Sequence, residues 1–252
     1  MERNLTSGSV WKNIFYFSLP YLLSYFLQTL YGMADLFIIG QFEGVAGTTA
    51  VSIGSQVMHM LTVMIVGLAM GSTVSIAKAI GANDKKEVSR SIGNTVTLFM
   101  LVAAGLMVIL LCLAHPIVSV MSTPAEAVSG TVTYLTICFI GIPFITAYNI
   151  ISSIFRGLGD SKSPMYFIAV ACVTNIVLDY VFIGALHLGP AGAALGTTLS
   201  QAVSVVIALA VILKKNTGIS VSKKDFRPQH RAMGQILRIG IPVAMQDGLI
   251  QI

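Results

Sequence analysis

Two carboxylates stand inside stretches otherwise apolar enough to cross a bilayer. Asp179 lies near the far end of Ser163–Ile183, four residues after Asn175. On a helix that spacing puts the two side chains one turn apart on one face. Asp35 lies near the end of the first apolar run, and Gln28, seven residues earlier, shares its face. A carboxylate at such a place costs about 2.5–3.5 kcal/mol on insertion scales, so it is generally kept because something uses it. In a cavity of low dielectric two carboxylates do not both stay ionised easily. Such a pair binds and releases a proton, or holds a monovalent cation. Asn175, Thr197 and Gln28 can add hydrogen bonds or oxygen ligands. The plainer alternative for Asp35 is a carboxylate solvated in the interface.

Whether these groups meet depends on the spans that carry them. The chain has 252 residues, 55% hydrophobic and only 10% charged. Soluble domains carry about 25% charged residues, so this is a polytopic membrane protein. Six spans of about 20 residues or more are legible: roughly 14–40, 48–69, 94–115, 132–155, 164–185 and 191–213. The fold class expected is all-α, with one six-helix transmembrane lobe over residues 1–213. A basic linker follows over 214–238, and a seventh apolar run begins at about Ile239. Its opening, RIGIPVAMQDGL, echoes YFSLPYLLSYFL in span one, which suggests a second half that repeats the first.

All fifteen Lys and Arg fall before span one, between spans two and three, between four and five, or from Lys214 onward. The other loops hold none, so the positive-inside rule places the N-terminus in the cytoplasm; the expected location is the plasma membrane, with lipid as the surroundings. Basic residues so distributed set orientation and do not point to nucleic acid. Trp11 beside Lys12 suits an interfacial anchor. With this orientation, Asp35 comes about 7–8 Å below the outer surface, Asp179 about 9 Å, and Thr197 and Thr198 about 9–10 Å, at 1.5 Å per residue. The polar groups of spans one, five and six are therefore expected to converge in the outer half of one bundle.

The remaining candidates are weaker. Pro20 removes a helix hydrogen bond and permits either a hinge that moves Gln28 and Asp35 together or a static bend. Asp247 lies in the seventh run at a depth the sequence does not fix. Cys112, Cys138 and Cys172 lie in apolar runs at no metal-binding spacing and are read as small hydrophobes. No metal site and no catalytic residue is expected. The string Gly157-Leu158-Gly159-Asp160 imitates an intramembrane aspartyl protease, but Arg156 and Lys162 place that Asp in a cytoplasmic loop.

Four stretches resemble a known family: LPYLLSYFLQTLYGMADLFIIG, GLAMGSTVSIAKAIGANDKKEVSRSIGNT, FRGLGDSKSPMYFIAVACVTNIVLDYVFI and GPAGAALGTTLSQ. The chain resembles the N-terminal half of a multidrug and toxic compound extrusion (MATE) transporter, in the bacterial branch associated with DNA-damage-inducible proteins. The resemblance implies one lobe of a twelve-helix fold, with a C-terminal lobe missing. It implies an antiporter, not an enzyme, that exports organic, often cationic, compounds against H⁺ or Na⁺ without a cofactor. In that family the cation site would match Asp35, Asn175, Asp179 and Thr197. Gln28 and Tyr134 would line the cavity, and Pro20 would mark the bend in the first helix. A lipid-linked oligosaccharide flippase of the same superfamily is the alternative, weighed down by the absence of Lys or Arg within a span. A non-transporting fragment is the other.

Overall fold

The computed structural model describes residues 9–214 and 222–250. Arg3 and Lys215, two of the basic residues used for orientation, lie outside them. Within hydrocarbon, backbone polar groups must be satisfied inside the segment, so apolar runs of this length become helices. They are α1 (Val10–Phe42), α2 (Val45–Gly81), α3 (Lys85–Val120), α4 (Ala125–Ile140), α5 (Ile142–Gly157), α6 (Lys162–Asp179), α7 (Gly189–Lys214) and α8 (His230–Ile250). Between α6 and α7, residues Tyr180–Ala185 continue α6 as a π-helical turn. No strand occurs among the described residues. Five helices are long and apolar enough to cross a membrane, and α4 with α5 makes a sixth span bent by 50°. The all-α, six-span lobe expected from hydropathy is therefore present.

The helices outrun the hydropathy boundaries. α2 and α3 continue to a short turn at Asn83 and Asp84, where Asp84 Oδ1 accepts from the amides of Lys86 and Glu87 at 3.1 Å each. The turn before α6 is built the same way. Gly159, with φ of 86°, precedes Asp160, just as Asn83, with φ of 55°, precedes Asp84. Asp160 Oδ1 accepts from the amides of Lys162 and Ser163 at 3.0 Å, and its Oδ2 accepts from Ser163 Oγ at 2.7 Å. Asp160 thus holds the start of α6, a capping role of the usual kind.

Packing is arranged around α2, which runs against α4 and α5, while α7 lies between α4 and α6, and α1 packs on α6. Small and hydroxyl residues allow the close approach that membrane helices use. Ser153 Oγ on α5 donates to the Ala69 carbonyl on α2 at 2.8 Å, and Ser204 Oγ on α7 donates to the Phe167 carbonyl on α6 at 2.8 Å. Large apolar side chains such as Phe15, Leu22, Phe26 and Phe37 point outward on α1. That outer surface suits lipid. The polar residues Asp35, Asn175, Asp179 and Thr197 are turned inward.

The seventh helix departs from its expected place. It begins at His230, not near Ile239, so the end of the basic linker is helical. A periodic helix can carry Arg231 and Arg238 on a solvent face, which a hydropathy window cannot register. α8 packs tightly on α2. A Cβ at Gly71 would collide with the Ile236 carbonyl, and one at Gly240 with the Leu68 carbonyl.

Candidate functional site

Asp35 sits on α1, Asn175 and Asp179 on α6, and Thr197 on α7. All are buried: Asp35 is 3% exposed, Asn175 and Asp179 0%, and Thr197 8%. Thr197 Oγ1 donates to Asp35 Oδ2 at 3.2 Å, joining positions 162 residues apart. Asn175 Nδ2 donates to Asp179 Oδ1 at 3.5 Å, the one-turn contact their spacing predicts. Asp179 and Asn175 are the other polar neighbours of Asp35. The burial excludes an interfacial, solvated Asp35.

The local chain makes this convergence feasible. Gly196 precedes Thr197, and a Cβ there would collide with Asp179 Oδ1 and come 3.4 Å from Asn175 Nδ2. The π-helical turn begins directly after Asp179. Such turns are rare and concentrate at functional positions. Asp35 Oδ1, Asp179 Oδ2, Asn175 Oδ1 and Thr198 Oγ1 are buried with no hydrogen-bond partner. Buried oxygens seldom stay unpaired without a reason. Oxygen donors of this kind fit either a proton shared between the two carboxyls or a monovalent cation such as Na⁺. Among the described residues no group of three His, Cys, Asp or Glu is placed to hold a metal ion.

Two members of this neighbourhood escaped the sequence reading. Tyr31, one turn before Asp35, has Thr197 and Gln201 as polar neighbours. Gln201, one turn after Thr197, is 6% exposed and its Oε1 has no partner. Both were available from spacing: four residues back from Asp35 and four on from Thr197 place them on the same helix faces.

Gln28 and Tyr134 do not line one common space. Tyr134 is 2% exposed and packs in the core over Gly54, beside Cys138. Gln28 lines a separate cavity of about 260 Å³, toward the helix ends that carry Arg156 and Pro164. The reason is geometric. Gln28 lies two turns from Asp35, about 10 Å along the helix, and shares its cavity with residues of α2, α5 and α8 and none of α7. Pro20 is buried in α1 just before Tyr21, which lines the same cavity. α1 is one continuous helix through it, and Ser24 Oγ donates to the Pro20 carbonyl at 2.8 Å.

Arg156 corrects a second expectation. It belongs to the last turn of α5, not to a loop, and it lines this cavity together with Asp247. Its guanidinium lies over the Tyr21 ring, 5.3 Å from the centroid. The aliphatic stem and the ring face let a cation extend a span past the point where hydropathy ends it. Arg156 thus sits at the helical end of the fourth span and not in the loop after it.

The MatE family model matches residues 20–181. A probable multidrug resistance protein of Bacillus subtilis (strain 168), YpnP, is 32% identical over 244 residues, which cover 96% of this chain and 54% of YpnP. The multidrug export protein MepA of Staphylococcus haemolyticus (strain JCSC1435) is 28% identical over 93% of this chain and 52% of its own. A solved structure, described as the outward-facing conformation of a multidrug resistance MATE family transporter of the MOP superfamily, superposes with a TM-score of 0.89 at 28% identity. It covers 96% of this chain and 54% of that one. The chain thus spans about half the length of the relatives it matches. With its helices, buried carboxylates and matched residues in agreement, this chain belongs to the MatE family, the multidrug and toxic compound extrusion (MATE) proteins.

Proposed function

We propose that this chain is the N-terminal lobe of a cation-coupled antiporter that exports organic, often cationic, compounds across the plasma membrane. A second lobe would complete the transport path. The observation that carries the reading is the buried contact of Asp35 with Thr197, set against Asp179 and Asn175. Asp35, Asn175, Asp179 and Thr197 hold the coupling H⁺ or Na⁺. Cation binding there competes with the organic compound, because each favours a different state of the lobe, and the two affinities are linked reciprocally. The related multidrug resistance and multidrug export proteins support the substrate class. The flippase alternative needs a basic cavity for an anionic pyrophosphate. Here one Arg156 shares its cavity with Asp247, which supports that alternative poorly.

Competition binding tests the proposal. Tetraphenylphosphonium binding to the purified protein is expected to weaken as protons or Na⁺ are added. Replacing Asp35 and Asp179 together by Asn is expected to remove that dependence. Dependence unchanged in the double variant would overturn the assignment of the coupling site.

A further inference from the structure

The cavity at the other end of the lobe has its own chemistry, which the coupling site does not use. It is lined by α1, α2, α5, α6 and α8 and holds about 260 Å³. Arg156 and Asp247 both line it, yet no ion pair joins them; the ion pair found among the described residues is Arg90 with Glu87. Opposite charges that share a cavity without pairing leave one donor group and one acceptor group for a guest. Arg156 is held over Tyr21, which keeps its guanidinium at the wall and not folded back to a carboxylate. Asp247 lies against Gly67 of α2, where a Cβ would come 3.2 Å from Asp247 Oδ2. Replacing that glycine would crowd the carboxylate.

The rest of the lining fits the same guest. Tyr25 and Tyr148 present ring surface, and Asn149 and Ser152, 3% and 2% exposed, add polar atoms from α5. Arginine favours carboxylate and phosphate oxygens and stacks on aromatic rings. A carboxylate such as Asp247 accepts from an ammonium group. The volume admits one aromatic ring or a headgroup with two short charged arms, and is below the usual range for drug-sized ligands, about 300–1,000 Å³.

We propose that this cavity is a binding site for a small zwitterion, with its anionic group on Arg156, its ammonium group on Asp247 and its apolar body on Tyr21, Tyr25 and Tyr148. The source is a zwitterionic solute or the headgroup of an aminophospholipid. The assignment goes beyond the coupling reaction and does not rest on it, because it concerns binding alone.

The test uses the full chain in dodecyl maltoside and three radiolabelled probes: L-tryptophan, its N-acetyl derivative and its methyl ester. The zwitterion is expected to bind about tenfold or more tightly than either singly charged derivative, the scale of a charge-assisted hydrogen bond. Arg156→Gln should erase the advantage over the methyl ester, and Asp247→Asn the advantage over the N-acetyl form. Lys86→Gln, which removes an exposed charge elsewhere, should change none of the three. Three probes binding within about twofold of one another on the unaltered chain would overturn the proposal without recourse to any variant, as would an equal loss for all three in Arg156→Gln. Added phosphatidylethanolamine separates the sources. Displacement of L-tryptophan assigns the site to the headgroup, and its persistence assigns the site to a solute.

Discussion

Asp35 and Thr197 meet because α1 and α7 both turn polar side chains toward α6, and Gly196 leaves room for Asp179 between them. Thr197→Val keeps the shape and removes the donor, which leaves Asp35 Oδ2 without that hydrogen bond. An unsatisfied buried acceptor costs about 1–3 kcal/mol. Thermal unfolding in detergent should therefore show a clear loss for Thr197→Val and little change for Thr197→Ser. Equal unfolding for both variants would mean that the hydroxyl does nothing at this place. Asp35, Asn175, Asp179 and Thr197 were legible in the sequence because a carboxylate in an apolar run is costly and its helical neighbours follow from spacing. Tyr31 and Gln201 were legible only as one-turn neighbours of Asp35 and Thr197, since Tyr and Gln in a span carry no comparable penalty of their own. Gln28 was legible as cavity-lining, but its cavity lies away from Asp35 and Tyr134, because shared helix face does not mean shared depth.

The elements differ in how far hydropathy describes them. Six spans were readable from their apolar length, yet three features were not. The 50° break in the fourth span falls at Gly141, two residues before Pro143, which offers no amide to the preceding turn. The π-helical turn after Asp179 depends on one shifted hydrogen-bond register, seen where the Leu186 amide donates to the Val181 carbonyl at 2.9 Å. No residue type marks that shift. The third is the segment ahead of α8. Asn94 on α3 is fully buried, accepts from the Gln229 amide at 2.8 Å, and donates to the Asp225 carbonyl at 3.2 Å. Thr97 Oγ1 adds a bond to the Phe226 carbonyl at 2.8 Å. The stretch before α8 is thereby clamped to the end of α3, a tertiary contact that composition cannot reveal. Asn94→Ala should release it. Hydrogen exchange at the Gln229 amide is expected to speed up about tenfold, corresponding to about 1.4 kcal/mol, while amides in the middle of α2 keep their protection. Unchanged exchange at Gln229 would mean that the clamp is held by other contacts.

At the scale of the whole molecule the lobe is a bundle with apolar side chains outside and its costly polar groups inside. The charge asymmetry of the connecting segments predicts a direction in the bilayer. Cysteine placed at Asn83 or at His187, both exposed in turns, reports that direction when the three natural cysteines are replaced. An impermeant maleimide added outside intact cells should label the cysteine at 187 and not the one at 83, and the reverse pattern would invert the orientation. The central claim is that the buried carboxylates couple a cation to the movement of an organic compound. Its most direct test uses the full-length transporter carrying this lobe, reconstituted in liposomes. A pH gradient and then a sodium gradient are imposed while a fluorescent organic cation is followed, with and without Asp179→Asn. One of the gradients should drive transport and the variant should abolish it, which would also name the coupling ion. Transport that ignores both gradients, and proceeds equally well with Asn at position 179, would contradict the account and leave the carboxylates a structural role only.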